Sequence, residues 1–384
     1  MTGPRGAVLR RPGADWEIHE LTVAPPKAGE VLVRMAYAGL CHSDEHMRFS
    51  TTTELPVVGG HEGSGVVAET GPGVTALAPD DHVALTFVAV CGHCRWCATD
   101  RANQCEGAGS ISSGMMADGT YRFHGAAPPL AGQPLGSYCR LGTFAEYAVV
   151  SQDSCVKVDP DLPLAAAALV SCGVLTGWGA AVRTAGIQPG DTVIVAGAGG
   201  VGLSAVQGAR YAGATAIIAV DPVPAKRELA GRLGATHAAA GLAEAAGLAA
   251  AANPVPGGAD TTIVCAGDVT AAMVTGAFAA TGKGGAVVLA GLSRDPDELT
   301  IHLPGSVLAR TERRVLGCYF GSCNPVRDIP LVLSLYQRGE LQLDELISAR
   351  YRLEDITAGC ADLAAGRNAR GLIAFMGLQS PGVS

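Results

Sequence analysis

The sequence predicts an α/β protein in which a β-rich fold is interrupted by an inserted, doubly wound parallel-sheet domain. Three observations carry this reading. Up to about residue 155 short β-like runs, EVLVRMAYAG, GSGVVAET, DHVALTF and FAEYAVV, are broken by Gly and Pro and show few helical periods. From about Cys172 the rhythm changes to strands alternating with helices: DTVIVAGAG, an apolar helix through Tyr211, AIIAVD, a helix from Pro224 to Leu233, DTTIVCAG and GAVVLAG. That alternation implies βαβ units around a parallel sheet. After about Arg314 the chain returns to mixed elements, RRVLGCYFG, a helix near Asp328 to Gly339 and RGLIAFMG. The expected boundaries are 1–172, 173–315 and 316–384, with the first and last segments completing one domain. The 384 residues suffice for two or three domains, each with its own core.

Composition narrows the function. The chain has 27 Lys+Arg against 35 Asp+Glu, a net charge of −8, and only 16% charged residues. With no Lys/Arg-dense run or basic aromatic stripe, nucleic acid is excluded as a main partner. Two long uncharged stretches, 162–182 and 192–209, could suggest membrane spans. The first contains Pro163 and three glycines and the second reads strand-turn-helix, so neither is a spanning helix of about 20 apolar residues. The opening segment MTGPRGAVLRRPGADWE has no apolar signal-like run, which makes the cytoplasm the expected location. The Ala-rich patch Ala238 to Ala252 reads as a surface helix and its connections. There are 52 glycines, roughly twice the usual share of about 7%, without collagen period or linker tract. They belong in turns and close backbone contacts.

Gly197-Ala198-Gly199-Gly200-Val201-Gly202 follows the apolar run TVIVA and opens a helix. This is the strand-turn-helix context in which G-x-G-x-x-G binds a dinucleotide. Gly197 permits the tight turn, Gly199 lets the backbone approach a pyrophosphate, and Gly202 lets helix and strand pack closely. Unpaired N–H groups at the helix start, at Gly200 and Val201, serve the phosphates. The run AIIAV ends in Asp221, where a carboxylate accepts the hydroxyls of an adenosine ribose and repels a 2′-phosphate. NAD is therefore favoured over NADP, although Lys226 and Arg227 lie close behind. This domain is read as a Rossmann fold.

Twelve cysteines without a signal peptide point to metal binding or buried thiols rather than disulfides. Cys91, Cys94, Cys97 and Cys105 form C-x2-C-x2-C-x7-C in a loop, a spacing that lets four thiolates close on a tetrahedral Zn²⁺. Such a site has no open position and is structural. An iron–sulfur cluster is the rival, but the Cys-Pro of the ferredoxin signature is absent. A second set is dispersed: Cys41 in GLCHSDEH, His61-Glu62 in GGHEGSG and Cys172 in VSCGV. Two thiolates and an imidazole would leave a tetrahedral position free, as catalytic sites do. Spacing alone cannot assemble these three, and each by itself reads as a buried core residue. Cys139, Cys155, Cys265, Cys318, Cys323 and Cys360 are assigned no chemistry.

Taken together, GLCHSDEH, GGHEGSGVV, CGHCRWCATDRANQC, DGTYRFHG, LGTFAEYAVV, SCGVLTGWGAAV, GAGGVG, VDP and GRNARGLI resemble the zinc-dependent medium-chain alcohol dehydrogenases over nearly the whole chain. Several of these, with FGSCNPVRDIP, are similar to the actinobacterial branch assayed with a nitrosoaniline acceptor (NDMA), whose members hold NAD tightly as nicotinoproteins. The resemblance implies a GroES-like catalytic domain around the inserted Rossmann domain. It implies that Cys41, His61 and Cys172 ligate a catalytic zinc, with Glu62 beside them as a partner or transient ligand. Ser43 would take the substrate hydroxyl proton and His46 would pass it on, a task that suits histidine near neutral pH. Phe87 would wall the substrate pocket, and Thr176 and Leu292 would pack near the nicotinamide. His42 and Arg370 fall where the family contacts the pyrophosphate, with histidine at 42 where some members carry arginine.

The implied function is hydride transfer between a primary alcohol or aldehyde and NAD. The runner-up is a dehydrogenase of S-hydroxymethyl thiol adducts, such as that of mycothiol, which shares every motif above. A catalytically silent zinc protein is the third reading, disfavoured because no ligand or relay residue is lost. A small-molecule substrate, no membrane, and a homodimer or homotetramer joined at an edge strand near RRVLGCYFG complete the expectation.

Overall fold

The computed structural model describes residues 3–108, 114–253, 257–293 and 300–375. The chain divides into two compact units. The first comprises Met1–Cys172, Asn324–Gln337 and Leu343–Ser384, and the second Gly173–Cys323 and Arg338–Gln342.

The first unit is β-rich. The short strands Arg5–Leu9, Glu17–Val23, Phe123–Gly125, Pro134–Ser137 and Val57–Val58 close a barrel. A seven-stranded sheet is built around the longest strand, Glu30–Leu40, which pairs antiparallel with Gly63–Thr70, Tyr147–Ser151 and Arg370–Ala374. That strand buries Val31, Val33, Met35, Ala38 and Leu40 almost completely, on both faces of the pleat, as a central strand must. Its C-terminal end decides where the chemistry sits. Ala38 lies opposite Gly63 and Leu40 opposite Gly371, so three strands deliver residues 41, 61–62 and 370 to one edge of the sheet.

Arg122, a large polar side chain of this unit, is only 1% exposed. Its guanidinium forks onto Glu30 at 2.8 and 2.6 Å and reaches Asp118 at 3.0 Å. Lys27 also contacts Asp118, at 2.6 Å. The segment after the cysteine loop is thereby tied to the root of the central strand. Bidentate geometry in a buried setting is where an Arg–carboxylate pair is strong, and where losing one partner is costly. Nothing in the local sequence around Arg122 announced this role.

The second unit contains a six-stranded parallel sheet in the order His237–Ala239, Ala216–Val220, Thr192–Ala196, Ala259–Val264, Thr281–Leu289 and Arg314–Gly317. In chain order this is 3-2-1-4-5-6, the doubly wound dinucleotide-binding arrangement. Strands Thr192–Ala196 and Ala216–Val220 are buried along their whole length, which explains their uninterrupted apolar sequence. The uncharged stretch 192–209 is thus a strand and the start of the helix Gly200–Tyr211. The stretch 162–182 contains the separate short helices Leu164–Val170 and Gly173–Gly179. Among the described residues no single helix is long and apolar enough to cross a membrane. The Ala-rich patch supplies the strand His237–Ala239 and the helix Leu242–Ala252, which buries Ala245 and Ala249 against the sheet.

Replacing Arg122 by Leu should lower the unfolding free energy by about 3–5 kcal/mol, because Glu30 is left buried without its cation. Lys27, with Thr120 and Arg122, holds the Asp118 carboxyl well below the usual range. A depressed folded pKa contributes stability above the unfolded value near 4, and loses it as pH falls. Urea unfolding at several pH values should therefore show the gap between wild type and R122L narrowing below about pH 4.

Candidate metal and dinucleotide sites

The first metal site is local. Residues 91–105 bring four sulfurs within 4.8 Å of one another. Cys94 Sγ lies 3.6 Å from Cys97 Sγ and 3.9 Å from Cys105 Sγ, and Cys91 Sγ 4.0 Å from Cys97 Sγ. Four sulfurs around zinc at about 2.3 Å stand about 3.8 Å apart, so the spacing is that of a tetrahedral Zn(Cys)4 centre. Disulfides are excluded because bonded sulfurs stand about 2.05 Å apart, and all four cysteines are free. Backbone N–H groups of Cys91 and Gly107 donate to Cys105 Sγ at 3.3 Å, and that of Cys94 to Cys91 Sγ at 3.4 Å. Such donors favour thiolate over thiol; those of Cys97 and Glu106 bring the Cys94 thiol down to about 6. The guanidinium groups of Arg95 and Arg101 both pack on the Trp96 ring, 4.5 and 4.8 Å from its centre. Asp100 pairs with Arg327, which also holds the buried Asp328 at the start of helix Pro325–Gln337, fastening the loop to its own unit.

The second site gathers residues far apart in sequence. Ligand atoms of Cys41, His61, Glu62 and Cys172, all buried, lie within 4.8 Å of one another. Each is brought there by a separate element. Cys41 ends the central strand and caps the helix His42–Phe49. His61 and Glu62 precede the strand Gly63–Thr70, and Gly39 N–H donates to the Glu62 carbonyl at 3.2 Å. A Cβ at Gly39 would stand 2.2 Å from Glu62 Oε2, so a side chain there would displace that carboxylate from its present place. Cys172 follows helix Leu164–Val170, and Ser171 Oγ beside it accepts the Gly63 N–H at 3.0 Å.

Asp44 is the residue that locks this arrangement. One of its oxygens accepts the Cys41 N–H at 3.2 Å and the other stands 3.0 Å from His61 Nδ1. With Nδ1 so occupied, His61 Nε2 is left buried with no hydrogen-bond partner among the described residues. An imidazole nitrogen desolvated and aimed among thiols, with its other nitrogen on a carboxylate, has the chemistry of a metal ligand. The donor set of two sulfurs and one nitrogen fits zinc, with a coordination position to spare.

The electrostatics agree. A hydrogen bond with Cys172 is the main cause holding the Cys41 thiol well below its usual range, with help from His61 and Arg370. The same contact, with burial, pushes Cys172 well above. Burial disfavours a charged His61, but Asp44 and Cys41 outweigh it and hold its pKa well above the ordinary value. Burial also drives the Glu62 carboxyl up to about 7, although Arg370 pairs with it and opposes the shift. These groups compete for protons in a space where a dication would replace them.

Around the ligands, Ser43 Oγ is 3.7 Å from Cys41 Sγ, and His46 lies one turn further along the same helix, partly buried. Phe87 and Tyr138 both present themselves edge-to-face to His61, with ring centres 5.8 and 5.5 Å away. Tyr138 also donates to the Ser43 carbonyl at 3.2 Å. His42 opens the same helix. Arg370, expected at a pyrophosphate, is 3% exposed and bound to Glu62, with its Nε unpartnered.

In the second unit, Gly197 has φ +100, a left-handed value open to glycine, and a Cβ at Gly202 would fall 1.7 Å from the Gly197 carbonyl. Gly199 has nothing within 4 Å of where its Cβ would be, so the turn faces open space at the start of the helix opened by Gly200 and Val201. Asp221 Oδ2 accepts the Ala198 N–H and Oδ1 the Val223 N–H, both at 2.9 Å, which fastens the carboxylate to the turn. Thr176 is buried on helix Gly173–Gly179, and Leu292 is 60% exposed.

Residues 27–160 match the alcohol dehydrogenase GroES-like domain and residues 200–338 the zinc-binding dehydrogenase domain. The NDMA-dependent alcohol dehydrogenase of Amycolatopsis methanolica is 49% identical over 371 residues, 96% of this chain and 98% of that protein. The chain belongs to the zinc-dependent alcohol dehydrogenases. Benzyl alcohol dehydrogenase of Acinetobacter calcoaceticus superposes with a TM-score of 0.87 at 30% identity, covering 97% of this chain and 99% of its own. S-(hydroxymethyl)glutathione dehydrogenase of Escherichia coli is 36% identical, over 97% of this chain and 99% of its length. Family membership makes this chain an oxidoreductase that uses zinc and a nicotinamide dinucleotide. In this alcohol dehydrogenase, sequence reasoning had overlooked Asp44, Ser171 and Tyr138. Asp44 alone carried a local signal, since an acidic residue three positions after a helix cap reaches back to the cap N–H.

Elemental analysis should find two zinc ions per chain. Cys172→Ser should retain one and lose turnover with little change in unfolding temperature. Cys94→Ser should lose the other and unfold at a markedly lower temperature.

Proposed function

We propose that the chain oxidises a primary alcohol with an apolar tail, or reduces the matching aldehyde, with zinc held by Cys41, His61 and Cys172 and NAD held at the Gly197–Gly202 turn. The observation that carries this reading is the buried, unpartnered His61 Nε2 beside two thiols, with the Ser43 hydroxyl next to one of them. Bound zinc supplies Lewis acidity, and bound nicotinamide supplies the hydride acceptor. The chain's own residues then bind, orient and move the proton. Ser43 Oγ takes the proton of the substrate hydroxyl, and His46, three residues on and on the same helix face, passes it toward solvent. Asp44 keeps the His61 ring in one tautomer and orientation. Glu62 stays beside the ligands as Arg370's partner and an alternative donor. The aromatic edges of Phe87 and Tyr138 favour an apolar substrate, in keeping with a relative named for benzyl alcohol.

The carboxylate of Asp221 favours NAD, since a 2′-phosphate would meet a like charge. His42, Thr176, Leu292 and Arg370 are proposed to complete the cofactor's surroundings. The relative named for NDMA dependence supports a further step: NAD stays bound through turnover and an artificial acceptor reoxidises it. The reading extends to the cytoplasm, where thiolate ligands stay reduced. It also extends to a homodimer or homotetramer, for which the sheet's terminal strand Arg314–Gly317 offers an edge. A second reading, oxidation of S-hydroxymethyl thiol adducts, draws on the relative named for that substrate.

Ser43→Ala should cut kcat by about 10²-fold or more while zinc and cofactor content stay intact; near-normal turnover removes the relay role. Purified protein should keep nicotinamide absorbance through gel filtration and turn over benzyl alcohol with NDMA alone. Freely exchanging NAD defeats the bound-cofactor reading, and formaldehyde oxidation seen only with added thiol selects the second one.

A further inference from the structure

We propose that Tyr138 is a positioning residue for the proton relay: its hydroxyl, donating to the Ser43 carbonyl, fixes the first helical turn so that Ser43 Oγ keeps its place beside Cys41. This rests on the relay assigned to Ser43 above and names a residue that sets its geometry.

Three features of the site support it. The hydrogen bond from Tyr138 to the Ser43 carbonyl is 3.2 Å long and joins residues 95 apart in sequence. It therefore couples the helix His42–Phe49 to a separate loop at the turn that carries the relay hydroxyl. Next, the Tyr138 ring is immobilised. It is 9% exposed, belongs to the core cluster of Leu40, Met47 and Phe144, and meets the His61 ring at 88° with centres 5.5 Å apart. One face of a metal ligand and the backbone of the relay residue are thus held by the same side chain. Finally, the loop is itself over-determined. The Tyr138 carbonyl accepts from Leu141 N at 2.9 Å and Gly142 N at 3.1 Å. Cys139 and Arg140 adopt φ of +53 and +59, which non-glycine residues rarely do, and Arg140 Nε donates to the Met115 carbonyl at 3.1 Å.

An anchored phenol on a mobile loop would set nothing; an anchored phenol on an anchored loop can. Among the described residues, the contact that orients Ser43 Oγ is a weak one to sulfur at 3.7 Å, so its position depends on its backbone. Proton transfer is steep in distance, and displacement by about 1 Å can cost about 10²-fold in rate. One neutral hydrogen bond biases a conformational equilibrium about fivefold to tenfold.

The test uses the full-length zinc-loaded protein and the variants Y138F, S43A and Y138F/S43A. Phe keeps the ring against His61 and removes only the donor. The expected result for Y138F is a kcat about five- to tenfold lower, with KM for benzyl alcohol within twofold, zinc content unchanged, and a larger solvent deuterium isotope effect on kcat. In the S43A background the same change should cost nothing further. A normal kcat and isotope effect in Y138F overturns the proposal, as does an altered KM or zinc content with an unchanged isotope effect, which would mark a packing or pocket role. An equal loss in both backgrounds also overturns it, because Tyr138 would then act independently of Ser43. The underlying relay reading fails separately, through normal turnover of S43A.

Discussion

The Asp44 carboxylate joins two residues of the candidate metal site that lie 20 positions apart, the Cys41 backbone through one oxygen and the His61 ring through the other. Both bonds are buried, so neither competes with water, and a carboxylate that is buried must satisfy its oxygens or lose its charge. The cost is visible in Asp44 itself, whose pKa burial raises against the pull of His61. The benefit is a ring nitrogen presented to a metal without freedom to rotate. The cap of the helix His42–Phe49, the end of the central strand and the orientation of His61 are therefore one structural fact. Ser43 and His46, the residues proposed for the relay, ride on the same helix and inherit its placement.

The two metal sites illustrate two ways of gathering ligands. In the loop 91–105 the chain does the work locally: short turns bring four sulfurs together and the metal replaces a hydrophobic core that so small a segment cannot build. At the other site the sheet does it. Antiparallel pairing sets Leu40 against Gly371 and Ala38 against Gly63, and so lines up the residues that follow or precede those positions. Arg370 and Glu62 meet for the same reason. Their ion pair is buried with only partial hydrogen bonding. By itself such a pair is weak evidence for stability. Its consequence is electrostatic: a cation next to the thiols and a carboxyl group that burial pushes up against the pull of Arg370, beside the candidate ligands.

In the second unit the same economy governs the glycine turn. Gly197 is needed for its positive φ, Gly202 for the approach of helix to strand, and Gly199 for the open space in front of the helix. Asp221 reaches back to the Ala198 N–H, so this carboxylate, proposed to meet the ribose, is tied directly to the glycine turn. On the proposed reading, selectivity for the sugar and grip on the phosphates are thus not independent.

Local patterns in the sequence determined a good deal. The parallel sheet is legible in the alternation of apolar strands with helices, the dinucleotide turn in its glycines and the acid at 221, and the structural zinc in four cysteines within fifteen residues, because in each case the interacting groups are close along the chain. The dispersed site was legible only through resemblance, since no spacing rule links Cys41, His61 and Cys172. Three things were decided by tertiary structure alone: the meeting of those ligands at a sheet edge, the pairing of Arg370 with Glu62, and the contact of Tyr138 with Ser43. Each depends on strand register or loop docking, which are set by packing over long sequence distances and leave no periodic trace in the residues themselves.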